Sequence, residues 1–259
     1  MLRGLGYRED DLDDRDELFS SAVPIGPHVD LSREVDLESF DLPVLNQGSV
    51  GSCVLNAGFR ALQLRHQALY GRPCPLGDRM RMYYLLRALH NWQDQDSGCR
   101  IRDFFKMVNK LGFPDEDNYD ETSLFQPPDE LWYHRGIHRR LKVEEYPIRF
   151  RRVVAIGQAR VDLIRELTSH GVPVVGGLQI SSEFQAYGSG TKVFDIPAPD
   201  ELIGGHAVCF TLVPSDRARA YTSWGPFAHD SGFHNISLPY LGSKLLHDIW
   251  AVEYVPDFT

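Results

Sequence analysis

The chain of 259 residues carries 36 acidic side chains against 27 lysines and arginines, a net charge of −9, and 42% of its residues are hydrophobic. That length admits one large domain or two lobes, and the acidic balance argues against a nucleic-acid binder. No apolar run reaches the roughly eighteen residues of a membrane-spanning helix, and four cysteines (Cys53, Cys74, Cys99, Cys209) are too few for a disulfide scaffold of this size.

Residues 1 to 41 hold twelve Asp or Glu against four arginines, a net −8, so nearly all of the excess charge lies in this opening segment. Met1 to Asp16 lacks the apolar core of a signal peptide. Its aspartates lack EF-hand spacing, so calcium is not implied. Apolar Leu18, Phe19, Val23 and Ile25 predict an arm docked along the body rather than a solvated tail.

Pro43 to Cys53 is a polar, glycine-punctuated loop that runs into a cysteine. From Val54 to Leu69, Leu55, Phe59, Leu62 and Leu69 recur at roughly helical spacing, with Ala57, Ala61 and Ala68 between them. Cys53 then sits at a helix N-terminus, where unpaired N–H groups and the helix dipole favour a thiolate. A cysteine so placed is a candidate nucleophile; the alternative is a small buried core residue. The spacing predicts a second helix from Asp78 to Leu89. A third runs from Ile101 to Leu111, with Phe104, Phe105, Val108 and Leu111 on one face and Gly112 as its stop. Asn91 to Gly98 between them reads as an exposed loop. Arg100 and Arg102 either bias the site toward acidic substrates or form a solvated helix start.

Residues 112 to 148 are rich in proline, aromatic and charged side chains. His134 and His138 stand four apart, but with Gly136 between them and no third ligand in place they read as a surface helix rather than a metal site. Arg135, Arg139, Arg140, Lys142, Arg149, Arg151 and Arg152 make the region basic and able to receive the acidic arm. Beyond it, Arg149 to Ile156 predicts a strand, and Val161, Ile164 and Leu167 mark an amphipathic helix. Strand-like runs follow at Val172 to Ile180, Lys192 to Ile196, His206 to Val213, Ala218 to Ser223, Phe233 to Leu238 and Ile249 to Val255. Helices first and strands afterwards predict an α+β protein, with a helical lobe over residues 42–148 and a β-rich lobe over residues 149–259.

Gln47, Gly48, Gly51, Ser52 and Cys53 match, position by position, the nucleophile motif of the papain-like cysteine peptidases. Gly204-Gly205-His206-Ala207-Val208 resembles the motif at that family's catalytic histidine, and Ser223, Trp224, Gly225 and Gly232 match a third. Gly4-Leu5-Gly6-Tyr7, Asp13-Asp14-Arg15-Asp16, Asp96-Ser97-Gly98, Arg102-Asp103 and Asp248-Ile249-Trp250 are similar to a bacterial and viral branch with a short leader and no long pro-region. The resemblance covers almost the whole chain. It implies a two-lobed papain-like fold, in which a helical lobe carries the cysteine and an antiparallel, barrel-like sheet lobe carries the histidine. It implies Cys53 as nucleophile, His206 as base, and Gln47 with the Cys53 N–H as oxyanion donors. Gly51, Ser52, Gly98, Gly205 and Trp224 would line the substrate cleft, which the arm would partly cover. An ion pair with His206 would keep Cys53 a thiolate at neutral pH. No metal or organic cofactor is implied. Secreted relatives place a bridging cysteine where this chain has Val50, so four free thiols and a cytoplasmic location are expected.

Where the family has an asparagine that orients the histidine, this chain has Thr222. Its hydroxyl can accept a hydrogen bond but sits one bond closer to the backbone on a β-branched side chain. Either Thr222 orients His206 across closer strands or through a water, or it fills a strand position and something else orients His206. The leading expectation is hydrolysis of a peptide or protein substrate through a Cys–His acyl-enzyme. Transfer of the acyl group to an amine, giving ligation or cyclisation, shares that intermediate. A papain-like module that holds a peptide without cutting it is the alternative of another class: Thr222 favours it, and retention of Cys53 and His206 argues against it.

Overall fold

The structure is a computed structural model and describes residues 3–19, 29–116, 120–128 and 147–257. Val23, Ile25, the His134–His138 pair and the basic residues Arg135, Arg139, Arg140 and Lys142 lie outside them. Three α-helices precede the long strands. Helix α1 (Cys53–Tyr70) is buried without interruption from Cys53 to Leu62, including Asn56 and Arg60, whose side chains donate to the carbonyls of Ser52 and Pro43. It stops at Gly71, which adopts the left-handed conformation (φ +73°) and donates its N–H to the Gln67 carbonyl at 2.9 Å. Helix α2 (Arg79–Ala88) starts from Asp78, whose carboxylate accepts the Arg81 N–H at 3.1 Å. Helix α3 (Ile101–Leu111) ends on Gly112 as its pattern predicts. Phe59 of α1 meets Phe104 and Phe113 edge-on, with ring centres 5.0 and 5.1 Å apart.

The strands are β1 (Tyr7–Arg8), β2 (Leu18–Phe19), β3 (Cys99–Arg100), β4 (Arg149–Val153), β5 (Val174–Ser181), β6 (Val193–Phe194), β7 (Leu202–Leu212), β8 (Ala218–Tyr221), β9 (Phe233–Ile236) and β10 (Leu246–Tyr254). Eight of them form one sheet in the order β2-β4-β10-β5-β7-β8-β9-β6. Its inner pairs are antiparallel and its two edge pairs, β2–β4 and β6–β9, are parallel. Among the described residues the sheet is open, not the barrel-like closure expected. Helix α1 packs against β7, while α4 (Gly157–Ser169) and α6 (Leu238–Gly242) contribute to a second apolar cluster. The protein is thus α+β. Short α6 and α5 (Ser182–Ala186) interrupt the strand-rich half; each is capped by a serine, Ser237 or Ser181, whose hydroxyl accepts a backbone N–H at 3.2 Å. For that reason β9 ends at Ile236 rather than Leu238. Among the described residues no helix is long and apolar enough to cross a membrane.

The acidic arm is docked. Asp16 pairs with Arg102 at 2.5 Å and with Arg152 at 3.6 Å, Asp13 with Lys106 at 3.0 Å, and Asp11 with Arg100 at 2.7 Å. Arg100 and Arg102 are therefore neither a solvated helix start nor free to select acidic substrates: the arm's own carboxylates hold them. Strand β1 adds itself to β3 in parallel, with Tyr7 beside Cys99 and Arg8 beside Arg100.

Candidate active site

Cys53 opens α1 and is fully buried. Its sulfur accepts the N–H of Ala207 at 3.3 Å, so the residue next to His206 in β7 touches Cys53 across the helix–sheet boundary. The loop before Cys53 and the loop after β8 are laced together. The Gln47 N–H donates to the Ser223 carbonyl at 2.7 Å, the Gly225 N–H donates to the Leu45 carbonyl at 3.0 Å, and the Ser223 hydroxyl donates to the Gln47 side-chain oxygen. That last bond sets which way the Gln47 amide faces. Its nitrogen donates to the carbonyl of Val50 at 2.7 Å and to that of Gly4 at 3.0 Å.

His206 is fully buried, and Trp224 stacks on its ring with centres 4.3 Å apart. The Thr222 hydroxyl does not reach it. It accepts the N–H of Trp224 at 3.0 Å, two residues on, a local bond that short hydroxyl side chains favour. The imidazole that meets His206 is His234 of β9, with the two Nε2 atoms 3.3 Å apart. Among the described residues the Nδ1 of His206 has no partner, and no hydrogen bond joins its ring to the Cys53 sulfur.

The arm runs through the site. Gly4 and Gly6 come so close to the loop before Cys53 that a Cβ on Gly4 would stand 2.2 Å from the Val50 oxygen, and one on Gly6 would stand 1.6 Å from the Gly51 oxygen. The Gly6 carbonyl accepts the Cys99 N–H at 2.8 Å. Gly98 (φ +76°) lies against Gly6, and Gly205 and Gly177 leave room for the Tyr7 ring, whose hydroxyl donates to Asp248 at 2.5 Å. Arg3 donates to the carbonyls of Tyr187 and Gln185 at 2.8 and 3.2 Å and lies 4.9 Å above the Trp224 ring. Gly51, Gly98, Gly205 and Trp224 therefore all face the arm. Gly51 also donates its N–H to the Asp96 carboxylate at 3.0 Å, and buried Ser52 receives the Asn56 amide on its carbonyl at 2.8 Å.

No protein-family model matches the chain. An uncharacterised peptidase C1-like protein of Acanthamoeba polyphaga mimivirus is 28% identical over 280 residues, covering 99% of this chain and 89% of the relative. Bromelain from Ananas comosus, solved with the inhibitor E64, is 16% identical with a TM-score of 0.57, over 84% of this chain and 96% of its own. Xylellain, a cysteine protease from Xylella fastidiosa, superposes with a TM-score of 0.78 at 24% identity, over 99% of this chain and 98% of its own. The fold is papain-like. Its likeness to a viral and a bacterial protein covers 99% of the chain in each case.

In this papain-like fold burial favours the neutral forms of both Cys53 and His206, whereas the sequence predicts a thiolate. Burial pushes the Cys53 thiol up to about 11, outweighing the N–H groups of Ala207, Gly6, Val54 and Cys53 itself, which favour the anion. Burial likewise pushes His206 down to about 3, with His229 and the Arg3 guanidinium adding repulsion. The expectation rested on the helix terminus and on an ion pair with His206; with Gly4 to Tyr7 in place both groups are fully buried and no hydrogen bond joins them among the described residues. His234 and His229 escaped the sequence reading because each looked like an ordinary residue in a strand or loop. Thr222 was the available signal: a weakened orienting position asks for an acceptor elsewhere.

Proposed function

We propose that the protein is a cysteine peptidase that works by acyl transfer. The observation that carries this is the Gly4 carbonyl, a peptide carbonyl received by the Gln47 amide at 3.0 Å in the loop that runs into Cys53, whose sulfur accepts the N–H of Ala207 next to His206. A substrate carbonyl in that place would be attacked by Cys53 as His206 Nδ1 takes the thiol proton. The resulting oxyanion would meet the Gln47 amide and the Cys53 N–H. His206 then returns the proton to the leaving amine, and water releases the acyl group. Peptide or protein substrates fit this chemistry, and they must displace the arm. A reducing compartment such as the cytoplasm belongs to the same reading, which the four free cysteines support.

A peptidyl fluoromethyl ketone, incubated with the chain lacking residues 1–8 and followed by adduct mapping, tests the proposal. The adduct is expected on Cys53, with no adduct in Cys53→Ala. Labelling elsewhere, or none once the arm is gone, would sink it. The occupied cleft also suits a module that holds a peptide without cutting it, and that reading wins if Cys53 labels yet no peptide is turned over.

A further inference from the structure

The two nitrogens of His206 have different surroundings. Nε2 lies 3.3 Å from the Nε2 of His234, with both rings fully buried, while Nδ1 is unpartnered among the described residues. Two imidazole nitrogens at that distance form a hydrogen bond only when one carries a proton and the other a lone pair. The peptidase reading, on which this inference rests, decides between them. To take the thiol proton on Nδ1, His206 must hold its own hydrogen on Nε2, so His234 Nε2 must accept. Thr222 is not free for that role, because its hydroxyl already accepts the Trp224 N–H. We propose that His234 is the positioning residue of His206, fixing the tautomer and ring angle of the base in place of an amide side chain.

The sheet builds this pair. Alternation along β7 puts His206, Val208 and Phe210 on one face. The register carries that face from Phe210 to Ala220 of β8 and on to His234 of β9. Trp224 stacks on His206 and stands edge-on to His234, with centres 5.0 Å apart at 78°, and the Phe184 ring lies 4.8 Å from His234. The role requires a neutral His234. The titratable and charged groups facing it are His206 of β7, His229 of the loop between β8 and β9 (ring centres 4.4 Å apart) and Arg3 of the arm. Each opposes a positive charge there, and together with burial they hold His234 well below the ordinary imidazole range. His234 thus keeps its lone pair when His206 becomes imidazolium, and the bond between them becomes charge-assisted.

The test uses the full chain with 15N-labelled histidine, comparing wild type with His234→Leu, which removes the acceptor, and His234→Gln, which offers an amide oxygen near the same point. Wild-type His206 is expected as a single tautomer with hydrogen on Nε2 and a bare Nδ1; His234→Leu should give a mixture, and His234→Gln should restore the single form. With fluorescein-labelled casein, kcat should fall on the order of 10- to 100-fold in His234→Leu at nearly unchanged KM and recover in His234→Gln. An unchanged tautomer and kcat in His234→Leu overturn the proposal and leave the peptidase reading standing. If no variant cleaves casein even after residues 1–8 are removed, while the tautomer shifts as expected, the peptidase reading fails and His234 still sets the tautomer of His206.

Discussion

At Thr222 a hydroxyl stands where an amide would reach farther, and it turns back to satisfy the buried N–H of Trp224. Thr222→Val keeps the shape and strands that N–H, which should cost about 1–3 kcal/mol in denaturant unfolding, while Thr222→Ser should cost far less. A loss of turnover with no loss of stability in the valine variant would instead restore a direct role at His206. The neighbouring histidines make stability depend on pH. Burial holds His206 near 3 and His229 near 4, and His234 is also depressed, against about 6.5 for a free imidazole. As pH falls below about 6.5 the unfolded chain binds protons that the fold refuses, so stability is full above that pH and drains away toward pH 3–4. Asp10, pushed up to about 7 by burial and by Asp248, acts in the opposite sense, but it is one group against three. The melting temperature should therefore drop between pH 7 and pH 5, and His229→Gln should flatten the slope. A melting temperature that rises on acidification would refute this account.

Among the elements, those with a long periodic pattern were legible and those made by register were not. Leu55, Phe59 and Leu62 announce α1, and Gly112 announces the end of α3, because a buried helix repeats its apolar face over several turns. Strands β1, β2 and β3 are two residues each and exist only because the arm lies beside β3 and β4, which no local pattern records. The same limit hid His234: its face follows from pairing with β8, not from its neighbours in sequence. Cys53, Gln47 and His206 were legible because their motifs are short and local. The α1–α3 contact offers a direct test of the helical core. Phe59 is fully buried between Phe104 and Phe113, so Phe59→Ala should cost about 3–5 kcal/mol in denaturant unfolding. A cost below about 1 kcal/mol would mean that this aromatic cluster is not the packing centre that the fold implies.

For the molecule as a whole, one segment couples charge, closure and reactivity. The arm's carboxylates are spent on Arg100, Arg102, Lys106 and Arg152, its Tyr7 ring fills the space above Gly177 and Gly205, and its Gly4 carbonyl occupies the Gln47 amide. The ion pair of Asp16 with Arg102 is buried and needs both partners, so the anchor lies C-terminal to the part that plugs the cleft. That division allows the plug to be lifted while the anchor stays. Gly6→Ala should do so, because its methyl would meet the Gly51 backbone, which has no flexible side chain to move aside. Opening the cleft removes the burial that holds the Cys53 thiol near 11. A return toward the ordinary cysteine value of about 8.5 raises the thiolate fraction at pH 7 on the order of 100-fold. Iodoacetamide should therefore label Cys53 slowly in the wild-type chain and faster by about that factor in Gly6→Ala, with deletion of residues 1–8 matching it. Buried Cys74, Cys99 and Cys209 should stay slow in all three proteins. If all four cysteines speed up together in Gly6→Ala, the substitution has loosened the whole fold. If Cys53 alone stays slow after residues 1–8 are removed, the arm does not set its reactivity.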